Sequence, residues 1–138
     1  EAAVPYAEEL ARKTNARMLL LNVTMPAYRI AATQDYPGID LEPIIKAQRE
    51  ASENYLQGVE AKLKQKGLTV SSETLVGMPA ESILDYAKQK QVDVIAMSTH
   101  GRSGFGRWIL GSVTDKVARA ADMPVMVVRA SGPPHGLV

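Results

Sequence analysis

The chain has 138 residues, 16 Lys and Arg against 15 Asp and Glu, and 46% hydrophobic residues. Its formal charge of +1 leaves no electrostatic case for a nucleic-acid or membrane-surface partner, and the absence of cysteine rules out disulfides and thiolate metal sites. No apolar run approaches the roughly 20 residues that span a bilayer, and no signal peptide is read at Glu1, so a cytoplasmic protein built as one domain over residues 1–130 is expected.

The first predicted helix runs from Ala2 to Lys13, where Ala3, Val4, Ala7, Leu10 and Ala11 repeat at helical spacing. Asn15 suits a left-handed stop. Met18 to Val23 form a short apolar run, the pattern of a strand buried on both faces. Residues 25–39 make a connection longer than the roughly 2–6 residues usual for such a link. It is either a lid over a ligand or an uninvolved insertion. A second helix is predicted from Pro43 to Lys66, with Asp40 as a cap, Gly67 as its stop and an inward stripe of Ile44, Ala47, Ala51, Tyr55, Leu56, Val59 and Leu63. Val70 to Val76 mix apolar and polar residues and suit a more exposed strand near an edge. Pro79 to Lys90 form a third helix with Ile83, Leu84 and Ala87 inward. Val92 to Met97 form a strand, Ser112 to Ala121 a fourth helix and Val125 to Arg129 a last strand. Residues 131–138 are rich in Pro and Gly and are expected to form a loose tail. Alternating helices and strands imply an α/β fold, a doubly wound parallel sheet of Rossmann-like type.

The most informative stretch is His100-Gly101-Arg102-Ser103-Gly104-Phe105-Gly106-Arg107-Trp108-Ile109-Leu110-Gly111-Ser112. It joins an apolar strand to a helix start. Glycines allow close approach of main chain to a ligand, and a helix start offers unpaired N–H groups at the positive end of its dipole. Such a strand–loop–helix unit is an anion site, most often for phosphate. The alternative is a plain connection with Ser112 as its N-cap.

The segment Ser98-Thr99-His100-Gly101, nine further residues and Gly111-Ser112 resembles the ATP-binding signature of the universal stress protein family, Gly-x2-Gly-x9-Gly-Ser/Thr. Gly101, Gly111 and Ser112 match, and Ser98 replaces the first glycine. Gly111 to Val117 and Met123 to Val128 are similar to the family's C-terminal end. The resemblance implies a five-stranded sheet whose first strand is central and ends in apolar-Pro-x-Asp. No such strand stands ahead of the first predicted helix: either a segment lies upstream of Glu1, or the protein lacks its central strand, and the first is expected because the second would leave buried main-chain groups unpaired.

The resemblance also implies the site. ATP, accompanied by Mg or Mn, would lie against Val23 at one strand end, the Gly77-x-Pro79 turn, and Met97 and Ser98 at another strand end. Its phosphates would meet His100, Gly101, Arg102 and the helix start at Gly111, Ser112 and Val113. Arg102 and Arg107 could pair with phosphate or simply be solvated. His100 lacks a catalytic partner at any evident spacing, so a packing or hydrogen-bonding role is expected and no catalytic residue is named. The resemblance places the apolar strand Pro124 to Arg129 at the sheet edge, where it would pair two copies into a homodimer.

Three functions follow. The first is a dimeric, adenine-nucleotide-dependent switch acting on a protein partner, with little or no hydrolysis. The chain lacks Gly-x4-Gly-Lys-Ser/Thr, a loop lysine and a carboxylate cluster for Mg²⁺. The second is an interaction module of the same family that binds no nucleotide, favoured only by Ser98. The third is an adenylating enzyme of the related α-hydrolase type, resting on fold analogy.

Overall fold

The computed structural model describes residues 1–26, 42–100 and 110–130, with His100 and Ala130 described by main chain alone. In chain order these form α1 (Val4–Thr14), β1 (Met18–Thr24), α2 (Glu42–Gln65), β2 (Val70–Val76), α3 (Pro79–Gln89), β3 (Ile95–His100), α4 (Ser112–Ala120) and β4 (Val125–Ala130).

The helix ends follow local chemistry. A proline stands in the first turn of both α1 and α3, where a main-chain N–H would have no intrahelical acceptor to donate to. Asn15 ends α1 at φ 55°, ψ 34°, with its N–H donating to the Ala11 carbonyl. Gly67 takes φ 83° after α2, and the Leu68 N–H returns to the Leu63 carbonyl at 3.3 Å. Both stops are as the sequence predicts. Asp40, the expected cap of α2, lies outside the described residues.

β1 pairs in parallel with β2, in the register Met18↔Val70 to Thr24↔Val76. β3 pairs in parallel with β4, in the register Ile95↔Val125 to His100↔Ala130. The α/β architecture with parallel strands is as expected. The described residues, however, form two parallel pairs rather than one sheet of five strands. The Met18 N–H donates to Thr69 and the Gly77 N–H to Thr24, each at 2.9 Å. With the register, these bonds fix which main-chain groups point where. Met18, Leu20, Asn22 and Thr24 bond to β2, so Leu19, Leu21 and Val23 turn their N–H and C=O the other way. The Ile95 N–H donates to the Pro124 carbonyl at 3.0 Å, so by the same logic Ala96, Ser98 and His100 turn theirs away from β4.

Two apolar clusters hold the layers. Ala11, Met18, Leu63 and Val70, with Val4, Ala7, Leu20, Val59 and Leu68, join α1 and α2 to one face of the β1–β2 pair. Ala80, Ala87, Ile95 and Val117, with Ile83, Leu84, Met97, Val113 and Val125, join α3 and α4 to the β3–β4 pair. α3 also contacts β1, which links the two halves. Glu8 of α1 bonds Lys66 at 2.8 Å and Arg12 at 2.7 Å, and the Lys66 bond foremost holds its carboxyl below the usual range.

The structure corrects two elements. Only part of the expected α2 stripe is inward: Leu56, Val59 and Leu63 pack, whereas Ala47 and Ala51 are exposed and Ile44 and Tyr55 are 50% and 49% exposed. The reason is length. A 24-residue helix runs about 36 Å, while a seven-residue strand covers about 23 Å, so the first half of α2, with Ile44, Ala47 and Ala51, outruns the sheet face; Tyr55, in the second half, turns its hydroxyl to the Glu1 side chain. Likewise, β3 starts at Ile95 rather than Val92, because the Val92 N–H is spent on the Ala87 carbonyl at 2.9 Å in closing α3. At its other end β3 runs on through Ser98 and Thr99 to His100, held in register by β4.

Candidate functional site

The strands carry their expected site residues to their carboxyl ends, where open α/β folds bind ligands. Val23 is half-buried near the end of β1, and its N–H and C=O are not used by β2. The next residue, Thr24, is fully occupied in holding the turn. Its carbonyl accepts from Gly77 at 2.9 Å, and its hydroxyl donates to the Leu75 carbonyl at 3.2 Å. Gly77 is thereby fixed beside the β1 end. A Cβ on Gly77 would meet Ser82 Oγ at 2.3 Å, so this turn admits glycine because α3 begins directly beneath it. Sequence reasoning missed Ser82, whose signal is its place in the first turns of a helix that follows a Gly-x-Pro turn.

α3 and α4 present similar starts. Met78, the N-cap of α3, is extended, and no side chain caps the helix. Pro79 has no N–H, and the Ser82 N–H is spent on the Met78 carbonyl at 2.8 Å. Gly111 is the N-cap of α4 at φ −59°, ψ 154°, again with no side-chain cap. The first helical bond there is Asp115 N–H to the Gly111 carbonyl at 2.9 Å. The N–H groups of Ser112, Val113 and Thr114 therefore lack intrahelical acceptors. The helix starts at Ser112 as predicted, and the alternative in which Ser112 is the cap is not what forms: Ser112 is the first helical residue, exposed, and Gly111 is the cap. Among the described residues nothing lies within 4 Å of where a Gly111 Cβ would stand.

The first turn of α4 also carries Asp115, whose carboxylate would oppose an anion at the same end. It is drawn back along the helix by Arg119, whose Nε donates to both of its oxygens at 2.9 and 3.0 Å. The remaining expected residues divide. Val113 and Met97 pack their side chains into the α3–α4 cluster, and the N–H and C=O of Met97 serve β4. Ser98 is half-buried, with its N–H and C=O directed to the open side of β3. His100 ends the strand. Gly101, Arg102, Arg107 and most of the 25–39 connection lie outside the described residues. Among the described residues no group of three His, Cys, Asp or Glu is placed to hold a metal ion, and no helix is long and apolar enough to cross a membrane.

This geometry can bind an anion at the helix start at Gly111, where no side chain caps the free N–H groups. The model of the universal stress protein family matches residues 1–129. Universal stress protein YxiE of Bacillus subtilis is 31% identical over 133 residues, spanning 92% of this chain and 88% of that protein. A universal stress protein of Methanocaldococcus jannaschii is 35% identical over 88 residues, 64% of this chain, and the match spans only 52% of that relative. Among solved structures, universal stress protein UspA of Lactobacillus plantarum superposes with a TM-score of 0.73 at 24% identity, over 93% of this chain and 88% of that one. A universal stress protein of Archaeoglobus fulgidus in complex with dAMP superposes at 0.63 and 22% identity, over 91% and 84% of the two chains. One in complex with cAMP superposes at 0.62 and 23%, over 94% and 86%. The α/β layers, the parallel strand pairs and the match along nearly the whole sequence agree: the chain belongs to the universal stress protein family.

Proposed function

We propose that this protein binds an adenine nucleotide, ATP foremost, at the carboxyl ends of β1 and β3, and acts as a dimeric switch with little or no hydrolysis. The observation that carries this reading is the start of α4. Its free N–H groups, the absence of a side-chain cap at Gly111 and the retraction of Asp115 by Arg119 leave a site for phosphate oxygens. The unspent main-chain groups of Val23 offer a donor and an acceptor for a base edge, and the Gly77 turn lies beside them. Nucleotide in two structurally similar family members supports the choice of ligand. Gly101, Arg102 and His100 complete the phosphate loop in this reading, and Mg or Mn would arrive with the phosphates. Self-association runs through the Pro124–Arg129 strand, and the nucleotide alters what the dimer engages.

Ser98 favours a second reading, an interaction module that takes no nucleotide. If nucleotide binding at this position needs a left-handed main chain, serine costs about 1 kcal/mol relative to glycine. Equilibrium dialysis of ATP against the wild type, Gly111→Val and Ser98→Gly separates the two. The nucleotide reading expects saturable binding that falls at least about tenfold in Gly111→Val, where added methyls meet phosphate rather than protein. Equal binding by Gly111→Val, or binding only after Ser98→Gly, would favour the second reading.

A further inference from the structure

We infer that Arg119 is a positioning residue for phosphate binding: it holds the start of α4 open by keeping Asp115 from capping it. The inference rests on the nucleotide reading of this site. It starts from a spacing that phosphate binding leaves unexplained. Ser112-Val113-Thr114-Asp115 has the Ser/Thr-x-x-acid pattern of a capping box. In such a box the Ser112 hydroxyl accepts from the Asp115 N–H, and the Asp115 carboxylate reaches back to accept from the Ser112 N–H. The helix would then satisfy its own start, with a negative charge laid across it.

The other arrangement is the one that forms. The Asp115 N–H donates to the Gly111 carbonyl at 2.9 Å, and no side chain caps the helix. Ser112 is the first helical residue, one position past the cap that a box would make of it. The Asp115 carboxylate is taken by Arg119, whose Nε lies 2.9 and 3.0 Å from its two oxygens. An acid four residues ahead of a base is the favourable order for such a pair on a helix. Side chains on a helix lean toward its N-terminus, so a released Asp115 would swing toward Ser112, three residues back on the same face.

The Arg119 side chain is 79% exposed and that of Asp115 39%, so neither serves the core. What the pair changes is the charge at the helix start. With Arg119 in place, the carboxylate is paired and drawn along the helix. Without it, a carboxylate stands among the N–H groups that phosphate oxygens need, repels them and spends the Ser112 N–H. That penalty grows with the negative charge of the ligand, so it is greater for a nucleoside triphosphate than for a monophosphate.

The test titrates ATP and AMP into the whole chain by calorimetry, in the wild type, Arg119→Ala and Arg119→Ala with Asp115→Ala, and records amide spectra of each without ligand. Arg119→Ala is expected to weaken ATP about fivefold and AMP by no more than about twofold, and the added Asp115→Ala to restore ATP binding to within about twofold of wild type. In ligand-free Arg119→Ala the Ser112 amide should move downfield as it bonds the carboxylate, and Asp115→Ala should abolish that shift. Wild-type ATP binding that Arg119→Ala leaves unchanged would overturn this inference alone. So would equal losses for ATP and AMP, which mark a merely structural pair, or a loss that Asp115→Ala does not recover, which marks Arg119 as a direct phosphate contact. No ATP binding by the wild type would overturn the nucleotide reading and this inference with it.

Discussion

At the scale of single residues, two side-chain arrangements make measurable claims. Gly77 is held where a Cβ would collide with Ser82 Oγ at 2.3 Å, yet its φ is not in the left-handed region. The conflict is steric, with a hydroxyl that can rotate. Gly77→Ala is therefore expected to lose about 1 kcal/mol in urea unfolding, and Gly77→Ala with Ser82→Ala to recover most of it. A loss unchanged in the double variant would place the strain in the main chain. Tyr86 is the second case. Burial foremost, then the bond to Glu73, pushes its hydroxyl up to about 12. Below pH 10 the folded and unfolded chains hold this proton alike. Between pH 10 and 12 the unfolded chain releases it and the folded chain does not, so stability falls as pH rises through that window. Tyr86→Phe should flatten this part of the pH–stability curve, and ultraviolet titration of the wild type should show a late tyrosine that this substitution removes.

At the scale of elements, the fold was legible where local rules operate and misread where length and register decide. The stops at Asn15 and Gly67 follow from residues that tolerate a left-handed main chain, and β2 falls at Val70–Val76 as its bounded β-type run predicts. The half-exposed α2 was not legible, because helical spacing reports which residues share a face and not where the opposing strand ends. Its Ile44 and Tyr55 fit the inward stripe yet meet no sheet. The start of β3 was hidden for a similar reason: Val92 has the composition of a strand residue, and a tertiary bond to Ala87 removes it. Of the site, the helix start at Gly111 could be read from sequence. The helix start at Ser112 was read as well; what the sequence left open was the alternative of Ser112 as cap, since that choice depends on main-chain angles that composition does not set. The Arg119 hold on Asp115 was available as an i, i+4 pair, a spacing that places the two on one helix face.

At the scale of the whole molecule, the two outer edges differ in chemistry. β4 turns the main-chain groups of Val125 and Val127 outward along an apolar strand, with Val127 37% exposed. β2 is polar at Ser71, Ser72, Glu73 and Thr74, with one carboxylate. Self-pairing is accordingly expected at β4 alone. Val127→Lys should raise the dimer dissociation constant at least about tenfold, seen as a shift toward monomer in sedimentation velocity. An unchanged dimer would place the interface elsewhere. Between the pairs, the unspent main-chain groups of Val23 and Ser98 belong to inner edges that no described strand bridges, and the proposed nucleotide lies at their carboxyl ends.

The central claim is nucleotide binding at those ends, and one measurement addresses it most directly. The purified protein is denatured, the supernatant is resolved by anion-exchange chromatography, and the stripped, refolded protein is titrated with ATP. Released adenine nucleotide or saturable ATP binding, lost in Gly111→Val, is expected without steady release of ADP. Absence of both released nucleotide and binding would contradict it, and steady ADP release would contradict the switch without turnover.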